Sequence, residues 1–201
     1  MAAKIFDDIL LRGIRNGIVP ARTKAARDWY RDQAKTVKRS DVNETTFIKN
    51  MGTDRYESRF RIGNMYMFVY DPKHKKTLPY YDRFPLIFPI NRAKGGFLGI
   101  NFHYLPLKSR ATLMDALYEQ VKGVNYDDNT KLRLSYDILN GAAKFNEFKP
   151  TIKHYLTKHV RTKLVYIHPT EWDTALFLPS QRFVGATATQ VWADSKKAMK
   201  G

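Results

Sequence analysis

Apolar residues along this chain recur at helical spacing, then at strand spacing, then at helical spacing again. Ile5, Phe6, Ile9, Leu10 and Ile14 fall three or four apart and predict a helix over 4–17. Arg12 and Arg15 lie near its C-terminal end, where cations complement the helix dipole. After Pro20, the stripe Ala26, Tyr30, Ala34 and Val37 predicts a second helix over 22–38. Arg27, Arg31 and Lys35 mark another stripe on it at i, i+4 and i+8, with Asp28 and Asp32 placed to pair with Arg31 and Lys35. That basic stripe reads either as a solvated helix face or as an arm that touches phosphates. Residues 39–59 are polar and weakly periodic, and they read as a linker with a short helix around Glu44 to Lys49.

The centre has strand character. Arg61 to Tyr70 (RIGNMYMFVY) is apolar and aromatic over strand length, and Asp71-Pro72 ends it. The segment Leu78 to Ile90 carries three prolines, which forbid a long helix and are awkward in an inner strand. A turn at Asn91 to Gly96 and a strand from Phe97 to Leu105 follow. The aromatics of this region are expected to fill a core rather than to stack on bases. Beyond Pro106, the stripe Leu107, Ala111, Met114, Leu117, Tyr118 and Val121 predicts a helix, with Ser109 as its cap and Gly123 as its stop. Further helices are expected behind Asn129, from Pro150 to 160, behind Pro169, and over 188–199, the last capped by Thr187 and Gln190. Arg161 to Ile167 reads as a strand. The expected fold is α+β: a small antiparallel aromatic-rich sheet flanked by helices. A basic helical arm over 1–40 and a linker over 41–59 precede a core domain over 60–201.

Composition changes the picture at one point. The 201 residues include 35 Lys+Arg and 19 Asp+Glu, a formal charge of +16. A polyanionic partner is the simplest reason, and nucleic acid is favoured over a membrane because the cations are spread along the chain. A basic face that meets acidic protein is the alternative. There is no Cys, which excludes disulfides, thiol catalysis and Cys-ligated metal. The longest apolar run, Phe84 to Ile90, contains two prolines, so no membrane-spanning helix is expected. The early pair Asp7-Asp8 does not suit a secretion signal.

Catalytic signatures are lacking. No GxxxxGK or HExxH motif occurs, and His154 and His159 stand five apart, on different faces of a helix. His74, Lys76 and Asp82 only approximate a phospholipase-type motif. Asp7-Asp8 and Asp127-Asp128 suit helix starts better than metal binding. No enzyme activity, cofactor or metal is expected. Two basic constellations remain. Lys73, His74, Lys75 and Lys76 form a loop between strands, and Lys149, Lys153, Lys158, Arg161 and Lys163 occur with no acid from Phe148 through Thr170. The candidate phosphate contacts are Lys73, Lys75, Lys76, Lys153, Lys158, Arg161 and Lys163, with Arg27 and Arg31 in support.

The runs MYMFVYDPKHKKTLPYYDRFPLIFPI (Met65 to Ile90) and GFLGINFHYLP (Gly96 to Pro106) resemble the DNA end protector family of T-even-like tailed phages, including proteins so labelled in marine cyanophages. FKPTIKHYLTKHVRTK, EWDTALFLP and the opening KIFDDILLRGIRNGIVPART extend the resemblance over most of the chain. It implies a non-enzymatic virion protein that binds double-stranded DNA ends and shields them from host exonuclease. It further implies portal, neck or baseplate proteins as partners, and a place in the virion and in the host cytoplasm. A head–tail connector, neck or baseplate component that binds protein only is the alternative.

Overall fold

The computed structural model describes residues 2–20, 23–121, 141 and 146–200; the helix expected behind Asn129 and the Asp127-Asp128 pair lie outside them. At the centre is a six-stranded antiparallel sheet. Its order is β1 (Tyr56–Glu57), β7 (Leu164–Ile167), β2 (Met65–Met67), β4 (Leu86–Ala93), β5 (Gly96–Asn101) and β6 (Ile152–Leu156). Strands β3 (Tyr81–Asp82) and β8 (Phe183–Val184) pair separately. The helices are α1 (Ala2–Arg15), α2 (Lys24–Lys35), α3 (Glu44–Asn50), α4 (Leu107–Val121), α5 (Trp172–Phe177) and α6 (Ala188–Lys200). The class is α+β, as the order of helical and strand periods predicts.

Alternation along the strands divides the apolar residues between two faces. Met65, Met67, Leu86, Phe88, Val165 and Ile167 join Phe6, Ala34, Phe47, Met114 and Leu176 in a core under the helices. Tyr66, Phe68, Ile87, Leu164 and Tyr155 point the other way, where Phe97 and Tyr70 join them and the loop residues Phe60 and Val160 pack on them. In that second cluster Phe97 stacks on Tyr155 at 5.5 Å, and Phe68 meets Tyr155 edge-on at 5.4 Å. Tyr66, Phe68 and Phe97 are at most 2% exposed, so these rings fill a core.

Several expectations need correction. The first 40 residues do not stand off as an arm. Phe6, Ile9, Tyr30 and Ala34 are buried, and a Cβ on Gly13 would lie 2.0 Å from the Tyr30 hydroxyl, so glycine permits the close approach of α1 and α2. The segment expected as a linker is built in: Phe47 on α3 and Met51 just beyond it are buried, and Phe47 contacts Phe6 and Phe84. The helix expected over 150–160 is replaced by a 3₁₀ segment, Asn146–Thr151, and by β6, because the open edge of β5 offers a full ladder to an extended chain. β4 is an inner strand in spite of Pro89. A register shift between Pro89 and Asn91 absorbs the missing donor, which is how a bulge accommodates proline. Ser109 falls inside α4 rather than at its start.

Arg27 and Arg31 also need correction. They are 4% and 2% exposed and turn inward. Arg31 donates to Asp173 at 2.8 Å and to Asp115 at 2.7 Å, while Arg27 Nε donates to Asp115 at 2.9 Å. A dehydrated guanidinium requires such partners, and they lie on α4 and α5, far along the chain. Phosphates have no access to these side chains. Arg31→Met is expected to cost about 3–5 kcal/mol in urea unfolding, because Asp173 is left buried without its cation. Adding Asp173→Asn should recover part of that loss.

Candidate nucleic-acid interface

The two basic constellations, far apart in sequence, meet at one region of the sheet. Tyr70 forms a bridge to Val160, the Asp71 amide donates to the His159 carbonyl at 3.0 Å, and the Arg161 amide donates to the Val69 carbonyl at 2.8 Å. These backbone bonds tie the loop that follows residue 70 to the connection between β6 and β7. Lys73, Lys75 and Lys76 are exposed on the first, and Lys158, Arg161 and Lys163 on the second. Asp71 accepts from Lys75 at 2.8 Å and from Arg161 at 3.0 Å, and these hydrogen bonds hold its carboxyl below the usual range. Both pairs are exposed, so solvent and salt screen them and they contribute little stability. Among the described residues no carboxylate pairs with Lys73, Lys76, Lys153, Lys158 or Lys163.

Two concavities border the second aromatic cluster. One, of about 580 Å³, is lined by Arg59, Arg92, Arg161 and Lys163, with Phe60 on its wall. Its one carboxylate, Glu57, accepts from the Tyr66 hydroxyl at 2.6 Å. The Arg92 guanidinium lies 6.0 Å from the centre of the Phe60 ring. Sequence reasoning missed Arg59 and Arg92, which lie on a segment read as a linker and beside a hairpin. The signal available for Arg92 was its place next to Gly95-Gly96. Gly95 has φ 75°, and a Cβ on Gly96 would lie 1.8 Å from the Tyr155 carbonyl oxygen, so the hairpin sits tightly against β6.

The other concavity, of about 510 Å³, is lined by the exposed Lys73 and His74 and by Lys153. Lys153 shares the face of Tyr155, two residues on, and its ammonium lies 4.0 Å from the centre of the Tyr104 ring. Burial pushes the Lys153 ammonium down to about 8. Lys149 lies in the 3₁₀ segment and Lys153 in β6, with the turn into the strand between them.

Behind this recess lies a buried polar chain that the sequence did not reveal. Asp82 has His103 Nδ1 at 2.7 Å, and His103 Nε2 has Ser180 Oγ at 3.0 Å. Burial pushes the His103 imidazolium down, leaving a neutral ring that donates to Asp82 and accepts from Ser180. Burial also favours protonated Asp82, but bonds from His103, Asn101 and the Arg182 amide outweigh it and keep the carboxyl ionised. The order Asp–His–Ser is that of a nucleophilic triad. Yet His103 and Ser180 are 0% exposed and Asp82 3%, so the chain joins β3, the turn after β5 and the segment after α5 rather than facing a substrate. Among the described residues no group of three His, Asp or Glu is placed to hold a metal ion.

Lys153 makes the interface costly to fold. Between pH 8 and the ordinary lysine range the unfolded chain binds the proton that the folded chain releases, so this residue's penalty is full below pH 8 and is relieved as pH rises. Lys153→Met is expected to stabilise the protein at pH 7 by about 1 kcal/mol, allowing for the lost contact with Tyr104. It should also flatten any rise in stability between pH 8 and pH 10, measured by urea unfolding across that range.

A family model described as phage T4 terminal DNA protecting protein matches residues 12–195. No curated protein and no solved structure matches the chain. The match takes in the sheet, α2 to α5, the end of α1, both basic loops and the buried polar chain. With nearly its whole length accounted for, the chain belongs to the phage T4 terminal DNA protecting protein family.

Proposed function

We propose that this chain holds the end of double-stranded DNA by its phosphates, on the sheet face opposite the helices, and denies an exonuclease the terminus by occlusion. The observation that supports it best is the meeting of Arg59, Arg92, Arg161 and Lys163 around one concavity whose sole carboxylate is engaged by Tyr66. Lys73, Lys75, Lys76, Lys153 and Lys158 extend this positive surface along the loop after residue 70 and the β6–β7 connection. Phosphate contacts of this kind position DNA without reading its sequence, which suits a terminus of any sequence. Occlusion needs no chemistry, so the reading is of a non-enzymatic protein that acts without a cofactor. Its place is the virion, then the host cytoplasm once the DNA has entered. Among the described residues no helix is long and apolar enough to cross a membrane.

A second reading, a head–tail connector, neck or baseplate component that binds only protein, draws on a different surface. Leu11 and Ile14, 49% and 55% exposed, share a face of α1, and Val19 follows in the turn at 48%. A contact with portal or neck proteins at this patch is compatible with DNA binding on the sheet.

Linear duplex DNA titrated with the protein should be retarded with a steep salt dependence, a slope of log K on log salt of roughly −7 if about eight phosphates are engaged. Arg92→Glu with Lys163→Glu should reduce that slope by about two and weaken binding at every sequence alike. Wild-type protein should slow exonuclease digestion of linear DNA, read as full-length product remaining. Absence of retardation at low salt would favour the connector.

A further inference from the structure

The recess beside Lys153 has features that a flat phosphate-binding surface does not need. Tyr80, Tyr81 and Tyr104 line it; Tyr80 and Tyr81 are half-buried and leave ring surface open, while Tyr104 is 5% exposed and has the Lys153 ammonium 4.0 Å from its ring centre. Lys153 reaches into it from β6, and Lys73 and His74 stand at its rim. The volume, about 510 Å³, falls within the roughly 300–1,000 Å³ of small-molecule sites and is too small for a duplex. A half-buried ammonium with no carboxylate partner is an unfavourable arrangement unless an anion completes it. Asp82 also lines the recess, but it is 3% exposed and its oxygens are engaged by His103, Asn101 and the Arg182 amide, so the Lys153 ammonium meets only the Tyr104 ring and no carboxylate neutralises it.

We propose that this recess takes the last nucleotide of the DNA, unstacked from its neighbour, with its base against Tyr80 and Tyr81 and its terminal phosphate on Lys153 and Lys73. The inference rests on the reading of the protein as a DNA-end binder and supplies the feature that distinguishes an end from internal duplex. An internal nucleotide has a continuing chain on both sides and no phosphomonoester; a terminal one can enter such a recess and present two ionisable oxygens to one ammonium. Stacking on aromatic rings tolerates any base, since each offers a π face. The raised energy of Lys153 in the free protein fits a site that gives up stability for function.

The test uses the full chain and fluorescent DNA of one length in four forms. These are a dumbbell closed at both ends and a hairpin with one open end that carries a 5′-phosphate, a 3′-phosphate or hydroxyls only. Anisotropy titrations should show the wild type binding one phosphorylated open form at least tenfold more tightly than the dumbbell, and the identity of that form names the strand that enters. Lys153→Met should bring the ratio of open to closed affinity to about one while raising the urea midpoint. Lys73→Ala, at an exposed position where folding is not at stake, should lower the ratio several-fold. The inference is overturned if wild type favours open ends equally with and without phosphate, or if Lys153→Met keeps the wild-type ratio. It is also overturned if Lys153→Met lowers the urea midpoint, since the lysine is then a packing residue. A wild-type chain that binds none of the four forms removes the end-binding reading itself. One that binds and protects DNA but fails the Lys153 comparison removes this inference alone.

Discussion

A guanidinium withdrawn from water must find an acceptor, and that constraint sorts the cations of this protein into two populations, with the half-buried Lys153, set against the Tyr104 ring, apart from both. Arg27 and Arg31 meet Asp115 and Asp173, and Arg55 meets Glu171 at 2.5 Å. Arg110, 0% exposed, spends its donors on the carbonyls of Leu105, Leu176 and His103. Each of these arginines fastens a helix or turn to the layer that covers the sheet. The cations of the loop after residue 70 and of the β6–β7 connection meet few acids, and the acid they do meet, Asp71, lies at the surface. The large positive charge is therefore not spread evenly over both tasks: part of it is consumed in holding the fold, and the rest is displayed.

The sheet is what keeps the two populations apart. Its period-two alternation sends one set of apolar side chains under α1, α2, α3, α4 and α5, and the other set to the opposite face, where loops close over an aromatic cluster. Loops carry function readily when a rigid layer positions them. Here the layer is a buried network of rings, with the Asp82–His103–Ser180 chain behind it, and the cations stand on its margin.

The candidate site was partly legible. Lys73, Lys153, Arg161 and Lys163 were singled out by local density of charge and by the lack of acids from Phe148 to Thr170, and the structure brings their two segments side by side. Arg27 and Arg31 matched the same local pattern and were misread, because a basic stripe looks alike whether it faces solvent or a distant carboxylate. Arg59 carries no local pattern, and Arg92 only its closeness to the Gly95-Gly96 turn. Their relation exists only once the β4–β5 hairpin and the loop after β1 pack on one cluster.

What the order of amino acids determined by itself was set by short-range physics. The helical stripes of α1, α2 and α4, the strand character of β2, β5 and β7, the Gly95 turn and the reciprocal cap of Thr187 and Gln190 each depend on neighbours a few positions apart. What only the tertiary structure decided was long-range. It made residues 152–156 a strand by offering the edge of β5, admitted Pro89 to an inner strand through a bulge, and drew α1 and the α3 segment into the core through Phe6, Phe47 and Met51. It also chose which arginines face carboxylates. For β6, for the N-terminal helices and for the arginines the deciding partner lies far along the chain, and a pairing of that range leaves no periodic mark on the sequence.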